Sequence, residues 1–301
     1  MFTIAYDPIY AHPLPEHHRF PMLMYELIPG QLLHEGVITE DSLFSPGPLA
    51  EEVILLTHTA DYWQRMKAGA LTAKEMRAIG FPQSPELVER EIRICKGTVD
   101  CALNALQYGV SLNVAGGTHH AFAGSGEGFC LLNDFAIASH YLLNHQLVKK
   151  ILITDLDVHQ GNGTAAIFEG DDRVFTFSMH GQHNYPFRKE RSNLDIGLPD
   201  GTSGDEYLRI LEKTLPELIE KEKPDFMCFV AGVDVLATDK LGKMKLSIRD
   251  CYWRDEIVFT NCKKHGIPVA VAMGGGYSPD IRHIVEAHCN TYKLAKDVFE
   301  W

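Results

Sequence analysis

Short apolar runs, each followed by a longer amphipathic stretch, recur along the whole chain, and that alternation most limits what it can fold into. The runs 2–5, 53–56, 111–114, 151–155, 174–178, 226–230 and 269–273 read as strands, and the segments 86–108, 134–147, 204–222, 249–265 and 280–298 as helices. Within 86–108, Leu87, Ile94, Val99, Leu103 and Leu106 fall at helical spacing, and Gly109 stands where a helix C-cap belongs. Strands alternating with helices predict an α/β fold: a mostly parallel central sheet with helices on both faces and ligands at the carboxyl ends of its strands. No repeat, low-complexity tract or linker breaks the pattern, so residues 1–301 read as a single domain.

The carboxyl ends of four of these strands carry chemistry. After 151–153 comes D-L-D-V-H-Q-G-N-G, residues 155–163. If the strand continues, Asp155, Asp157 and His159 share one face, because side chains alternate. Two carboxylates and an imidazole on a buried face are poorly solvated, and a bound cation offsets that cost. Gly161 and Gly163 are expected to make a tight turn where the cluster ends. After 111–114 comes G-G-T-H-H with His119 and His120; after 226–230 comes A-G-V-D with Asp234; after 269–273 comes G-G-G-Y with Tyr277. Each alone has a bland explanation: an Asp after a strand caps a turn, paired histidines sit in solvated loops, and G-G-G-Y is a loop. Convergence of all four on one rim of one sheet makes a common site the stronger reading.

The residue types then suggest the reaction. Asp157, His159 and Asp234 supply three N/O ligands, the set expected for a catalytic zinc with an open position for water. Such an ion acidifies its water and polarises a neighbouring carbonyl. His119 and His120 would serve as general base and acid, and the Tyr277 hydroxyl would donate to the oxyanion of a tetrahedral intermediate. Together these groups describe hydrolysis of an acyl group, most simply an amide. Asp155 would orient His119 or help hold a second, monovalent cation.

The motifs G-G-T-H-H, G-F-C-L-L-N-D (128–134), D-L-D-V-H-Q-G-N-G, A-G-V-D and G-G-G-Y resemble, in order and approximate spacing, those of the zinc-dependent histone deacetylase family, which has the arginase/deacetylase fold. The likeness runs from about Ala5 to the last helix, and H-Q-G-N-G with A-G-V-D-V-L-A-T-D-K-L-G is most similar to class IV members and their bacterial relatives. The resemblance implies zinc on Asp157, His159 and Asp234, with ferrous iron the alternative occupant. It implies the tandem histidines at His119 and His120, hydrogen-bonded to Asp155 and Asn162, and the oxyanion tyrosine at Tyr277. It implies a substrate site with the Gly128 carbonyl on the amide and Phe129 and Phe187 as tunnel walls. It further implies a structural potassium ion held by Asp155, the carbonyls of Asp157 and His159, the Ser178 hydroxyl and the Met179 carbonyl; five oxygens suit a hard cation.

Two departures from the family pattern matter. Class I members carry Asp where this chain has Asn162. A neutral amide stabilises an imidazolium less, so His120 is expected to stay neutral and act as base while His119, beside Asp155, is the more basic ring. Region 66–84 shows no match to the acidic loop that grips substrate in class I enzymes, and no acidic gatekeeper is evident.

The partner implied is therefore an acylated lysine in a protein or peptide. A small acylated amine such as an acetylpolyamine is the alternative substrate, and an inactive acyl-lysine binder the alternative of another class. From the class IV likeness, long acyl chains are expected to be removed at least as well as acetyl, each buried methylene adding about 0.8 kcal/mol. With 28 basic and 40 acidic residues the net charge is −12, which argues against a nucleic-acid partner. No 18-residue apolar stretch and no basic-then-apolar start appear, so neither a membrane span nor a leader is expected. Seven cysteines without C-x-x-C suggest free thiols in a reducing cytoplasm. The oligomeric state is left open.

Overall fold

Eight strands form one sheet in which every neighbouring pair is parallel: β1 (Thr3–Ala5), β2 (Leu43–Phe44), β3 (Val110–Asn113), β4 (Ile151–Asp155), β5 (Val174–Gly181), β6 (Leu194–Leu198), β7 (Phe226–Val230) and β8 (Val269–Ala272). The structure is a computed structural model and describes residues 2–301. The strand order is β2-β1-β3-β8-β7-β4-β5-β6. Strands β3, β4, β7 and β8 are buried along their whole length, as strands covered on both faces must be.

Among the described residues, ten α-helices accompany the sheet: α1 (Met24–His34), α2 (Glu51–Ile54), α3 (Ala60–Lys67), α4 (Ala73–Ile79), α5 (Pro85–Tyr108), α6 (Asp134–Asn144), α7 (Asn162–Ile167), α8 (Gly204–Glu222), α9 (Ile248–His265) and α10 (Ile281–Phe299). They pack in two sets. One pairs α5 with α6 and adds α2 and α3; the other runs in series through α8, α9, α10 and α1. Helix α5 starts where Ser84 Oγ accepts the Leu87 N–H at 3.1 Å, with Pro85 at its first position, and stops at Gly109 in a positive-φ conformation. Helix α9 is closed at its start by a Ser247–Asp250 capping box and at its end by left-handed Gly266. None of the described helices is long and apolar enough to cross a membrane.

The stretch 53–56, expected as a strand, belongs instead to α2 and the turn after it. Four apolar residues carry no period of their own, while Glu51 and Glu52 sit favourably in a first helical turn. Only Ile54 is fully buried there; Leu55 and Leu56 are exposed. Strands β2 and β6 were not expected: they are the two edges of the sheet, and their partly exposed residues give little apolar signal.

Candidate metal centre and active site

The strands that end in the four motifs, β3, β8, β7 and β4, are consecutive neighbours at the middle of the sheet. Their carboxyl ends therefore open onto one place. Strand β4 stops at Asp155, so Asp155, Asp157 and His159 do not lie along one strand face as their alternation suggested. The carboxylates themselves redirect the backbone: Asp155 Oδ1 accepts the Asp157 N–H at 3.2 Å and Asp157 Oδ1 the His159 N–H at 2.9 Å. Such local side-chain bonds replace the ladder. Gly161 and Gly163 make no left-handed turn either. They are needed for space, since a Cβ at either would lie 2.3 Å from a neighbour, Asp155 Oδ2 and the Ala121 carbonyl respectively.

Asp157, His159 and Asp234 meet with their ligating atoms within 4.8 Å of one another, all three buried. His159 Nδ1 lies 3.0 Å from Asp157 Oδ1 and 3.0 Å from Asp234 Oδ2. The remaining carboxylate oxygens are fixed by backbone donors: Val158 N–H to Asp234 Oδ1 at 2.9 Å and Gly275 N–H to Asp157 Oδ2 at 2.8 Å. The glycines of A-G-V-D and G-G-G-Y are steric necessities. A Cβ on Gly232 would sit 2.2 Å from Asp157 Oδ2, and one on Gly275 2.3 Å from Asp234 Oδ2.

Burial and the Asp157 charge push Asp234 up to about 7, and, against its own burial, the two carboxylates raise His159 to about 10. The cluster thus draws positive charge to itself, and two carboxylate oxygens with one imidazole nitrogen fit a divalent ion. Arg254 of α9, wholly buried, braces both ligand loops by donating to the carbonyls of Leu156, Ala231 and Gly232, and it pairs with Asp255.

The tandem histidines face different partners. His119 Nδ1 lies 2.7 Å from Asp155 Oδ2, and despite burial the Asp155 and Asp157 carboxylates raise its pKa to about 9. His120 Nδ1 lies 2.6 Å from Asn162 Oδ1. Burial first, then the two neighbouring histidines, hold His120 well below its usual range. The amide orientation is decided by Glu127, whose carboxylate accepts from Asn162 Nδ2 at 2.7 Å and, after burial, helps raise the nearby Tyr185 phenol. Asn162 Oδ1 can only accept, so His120 carries its hydrogen on Nδ1 and leaves the Nε2 lone pair free. Glu127 and Tyr185 were not foreseen; nothing in their sequence surroundings marks them.

The histidine loop is pinned by the N-D that ends G-F-C-L-L-N-D. Asp134 accepts from Gly117 N, Thr118 N and Thr118 Oγ1 at 2.8–3.1 Å, and Asn133 Nδ2 holds the Ala121 carbonyl at 3.1 Å. Tyr277 is positioned through its backbone, its N–H donating to Asp239 Oδ2 at 2.5 Å. Burial and the Asp234 and Asp157 charges raise the phenol well above its normal range, so it remains a donor.

Gly128 and Phe129 both take positive φ, unusual for phenylalanine, and are held by N–H bonds to the Ala78 and Ile79 carbonyls at 2.9 and 2.7 Å. The Phe129 ring packs against Phe20, Phe81 and Tyr277 at 5.2–6.0 Å between centroids. Below it lies a chamber of about 40 Å³ bounded by both histidines, Asp157, His159 and Tyr277, with Tyr25, Arg90 and Ile94 also lining it. Outside lies a mouth of about 510 Å³. Phe187, expected as a second tunnel wall, is 92% exposed and lines only that mouth; Tyr185 stands edge-on to His120 at 5.0 Å instead. The side chain two residues after Tyr185 is the one that reaches solvent. Asp155 and Ser178 are register partners across β4 and β5, and both are buried with Met179.

The profile of the family described as "Histone deacetylase domain" matches residues 16–292. The chain is 44% identical over 298 residues to an uncharacterised protein of a Picosynechococcus strain, covering 99% of each. It is 29% identical over 263 residues to histone deacetylase 2 of Arabidopsis thaliana, covering 84% of this chain and 68% of that one. Among solved structures, the crystal structure of the HDA15 HD domain superposes with a TM-score of 0.81 at 19% identity, covering 99% of this chain and 89% of that chain, a likeness of fold.

Proposed function

This chain belongs to the histone deacetylase family, and from that premise we propose that residues 1–301 form one catalytic domain that hydrolyses the amide of acylated lysine at a zinc ion on Asp157, His159 and Asp234. The observation that carries the reading is the neutral His120 with a free Nε2 beside the three buried ligands, in one chamber with the Tyr277 phenol. Zinc, or ferrous iron in its place, supplies an acidified water and a polarised carbonyl. His120 Nε2 takes the proton of the attacking water and returns it to the leaving amine. The Tyr277 hydroxyl donates to the oxyanion of the tetrahedral intermediate. His119, tied to Asp155, holds positive charge next to that oxyanion. The Gly128 carbonyl accepts the substrate amide N–H, and Phe129 and Tyr185 flank the lysine stem. The buried Asp155, Asp157, His159, Ser178 and Met179 are assigned an inner potassium ion, supported by the register of β4 on β5.

The chamber bears on acyl length. With roughly 10–15 Å³ of such space per water, about 40 Å³ matches an acetyl-sized group. Short acyl groups are therefore assigned as the substrate, against the expectation of long-chain removal. The acetylpolyamine alternative needs an acid to read a distant cation, and no carboxylate is among the residues that line the mouth. An inactive binder would have no use for a free-Nε2 base opposite a phenol donor. The seven free, buried cysteines support a reducing, cytoplasmic setting.

Zinc-loaded protein is expected to release acetate from an acetyl-lysine peptide. Asp157→Ala should lose both bound metal and turnover, since two ligands do not hold zinc tightly. Tyr277→Phe should retain metal and substrate binding while losing roughly a hundredfold in kcat, the cost of one oxyanion donor. An Asp157→Ala protein that still turned over normally would sink the assignment.

A further inference from the structure

The mouth outside the chamber is basic, in a molecule that is strongly acidic as a whole. Its lining includes Arg19, Arg77 and Lys243 and no carboxylate, although the chain has 40 acidic residues and a net charge of −12. The cations fall in two groups. Arg19 lies with its guanidinium 4.9 Å from the Phe129 ring centre, and Arg77 is in the last turn of α4, the helix whose end holds the Phe129 backbone. Lys243 donates to the His183 carbonyl at 3.1 Å on the side that carries Phe187. Lys243 and His183 share Asp200, but Arg19 and Arg77 form no ion pair among the described residues. An unpaired arginine on a −12 surface has ample carboxylates elsewhere to meet, so two of them turned to one opening point to a ligand that supplies the anions.

We propose that this mouth selects acyl-lysines set in acidic peptide segments, with carboxylates on the residues flanking the acyl-lysine received by Arg19 and Arg77. This rests on the acyl-lysine hydrolase reading above and adds the substrate class. The exposed Phe187 offers an apolar contact in the same mouth. The overall negative charge of the protein repels an acidic segment at long range, so recognition is confined to the mouth and sensitive to salt.

The test uses the intact zinc-loaded protein and acetyl-lysine peptides identical except for the two residues on each side of the lysine: glutamate, alanine or lysine. At low salt kcat/KM should rank acidic over neutral over basic, with roughly tenfold between the ends, carried mainly in KM. The spread should collapse at about 1 M salt, where the screening length is about 3 Å. Arg77→Glu should narrow or invert the ranking, whereas Lys149→Glu, the same charge change on an exposed residue that does not line the mouth, should leave it as it was. Equal turnover of all three peptides, a basic preference, or equal use of free acetyl-lysine would overturn the inference while leaving the hydrolase reading intact. No turnover of any peptide by metal-loaded protein would overturn that reading itself.

Discussion

Glu127 changes what Asn162 does for His120. In His120–Asn162–Glu127 the negative charge stands one residue further from the imidazole than a directly bonded carboxylate would place it. The ring is oriented without being made strongly basic, which suits the general-base role proposed for it. Glu127→Gln removes the acceptor that fixes the amide and lets Asn162 turn its NH₂ toward His120. The expected outcome is a loss of roughly tenfold in kcat with KM little changed, as for other groups that orient a reacting side chain. Glu127→Asp should recover part of it. Unchanged kcat in the Gln variant would reduce Glu127 to a surface acid. At this scale sequence reading reaches some residues and not others for a physical reason. Asp157, His159, Asp234, His119, His120 and Tyr277 stand out because polar groups at the ends of apolar strands are costly without a purpose. Glu127, Tyr185, Phe81 and Asp239 lie in loops where acids and aromatics are ordinary, and only the folded geometry singles them out.

Among the elements, β4, β7 and α8 have the bounds read from the sequence, because their apolar runs or stripes are uninterrupted. The short helices α3 and α4 leave little trace in the sequence: α4 has seven residues, too few to establish a period, and its N- and C-caps are the stronger marks. Its role is nonetheless central, since its terminal carbonyls fix the Phe129 backbone. Helix α9 was foreseen, but not its brace. Arg254 is fully buried and reaches the backbone of both ligand loops, with Asp255 and Thr291 completing the network at 2.7–2.8 Å. Arg254→Met strands a buried Asp255 carboxylate and releases three loop carbonyls. It should cost about 3–5 kcal/mol in denaturant unfolding of the metal-free protein. Arg254→Met combined with Asp255→Leu removes both charges and should cost less than the single change. A double variant no more stable than the single one would mean that the loss comes from the freed carbonyls and not from the stranded charge.

For the molecule as a whole, the parallel class of the sheet was legible from strand–helix alternation, but its order was not. Nothing local in the sequence states that β8 inserts between β3 and β7, yet that insertion brings G-G-G-Y beside A-G-V-D and completes the centre. The same long-range assembly places Asp157, His159 and Asp234 together without solvent, so the metal-free protein must carry their mutual strain in its stability. Asp234, raised to about 7 by burial and Asp157, favours the folded state fully below its unfolded pKa near 4, and that contribution is lost as pH rises to about 7. His159, raised to about 10 against its burial by Asp157 and Asp234, contributes below about 6.5 and loses that contribution between there and about 10. Asp157 moves the other way, held ionised against burial mainly by His119 and His159, but its loss falls below the usual carboxylate range and outside this window. Above about pH 6.5, where His58, His180 and His288, held low by burial, are neutral in both states, the metal-free protein should therefore weaken steadily toward pH 9. A divalent ion held as proposed would take the place of those protons and bind more tightly as they leave. The difference in Tm between zinc-loaded and chelator-treated protein should accordingly widen with pH across that range, read by calorimetry at matched ionic strength. A difference that stays flat, or narrows toward pH 9, would show that protons and metal do not compete for Asp157, His159 and Asp234.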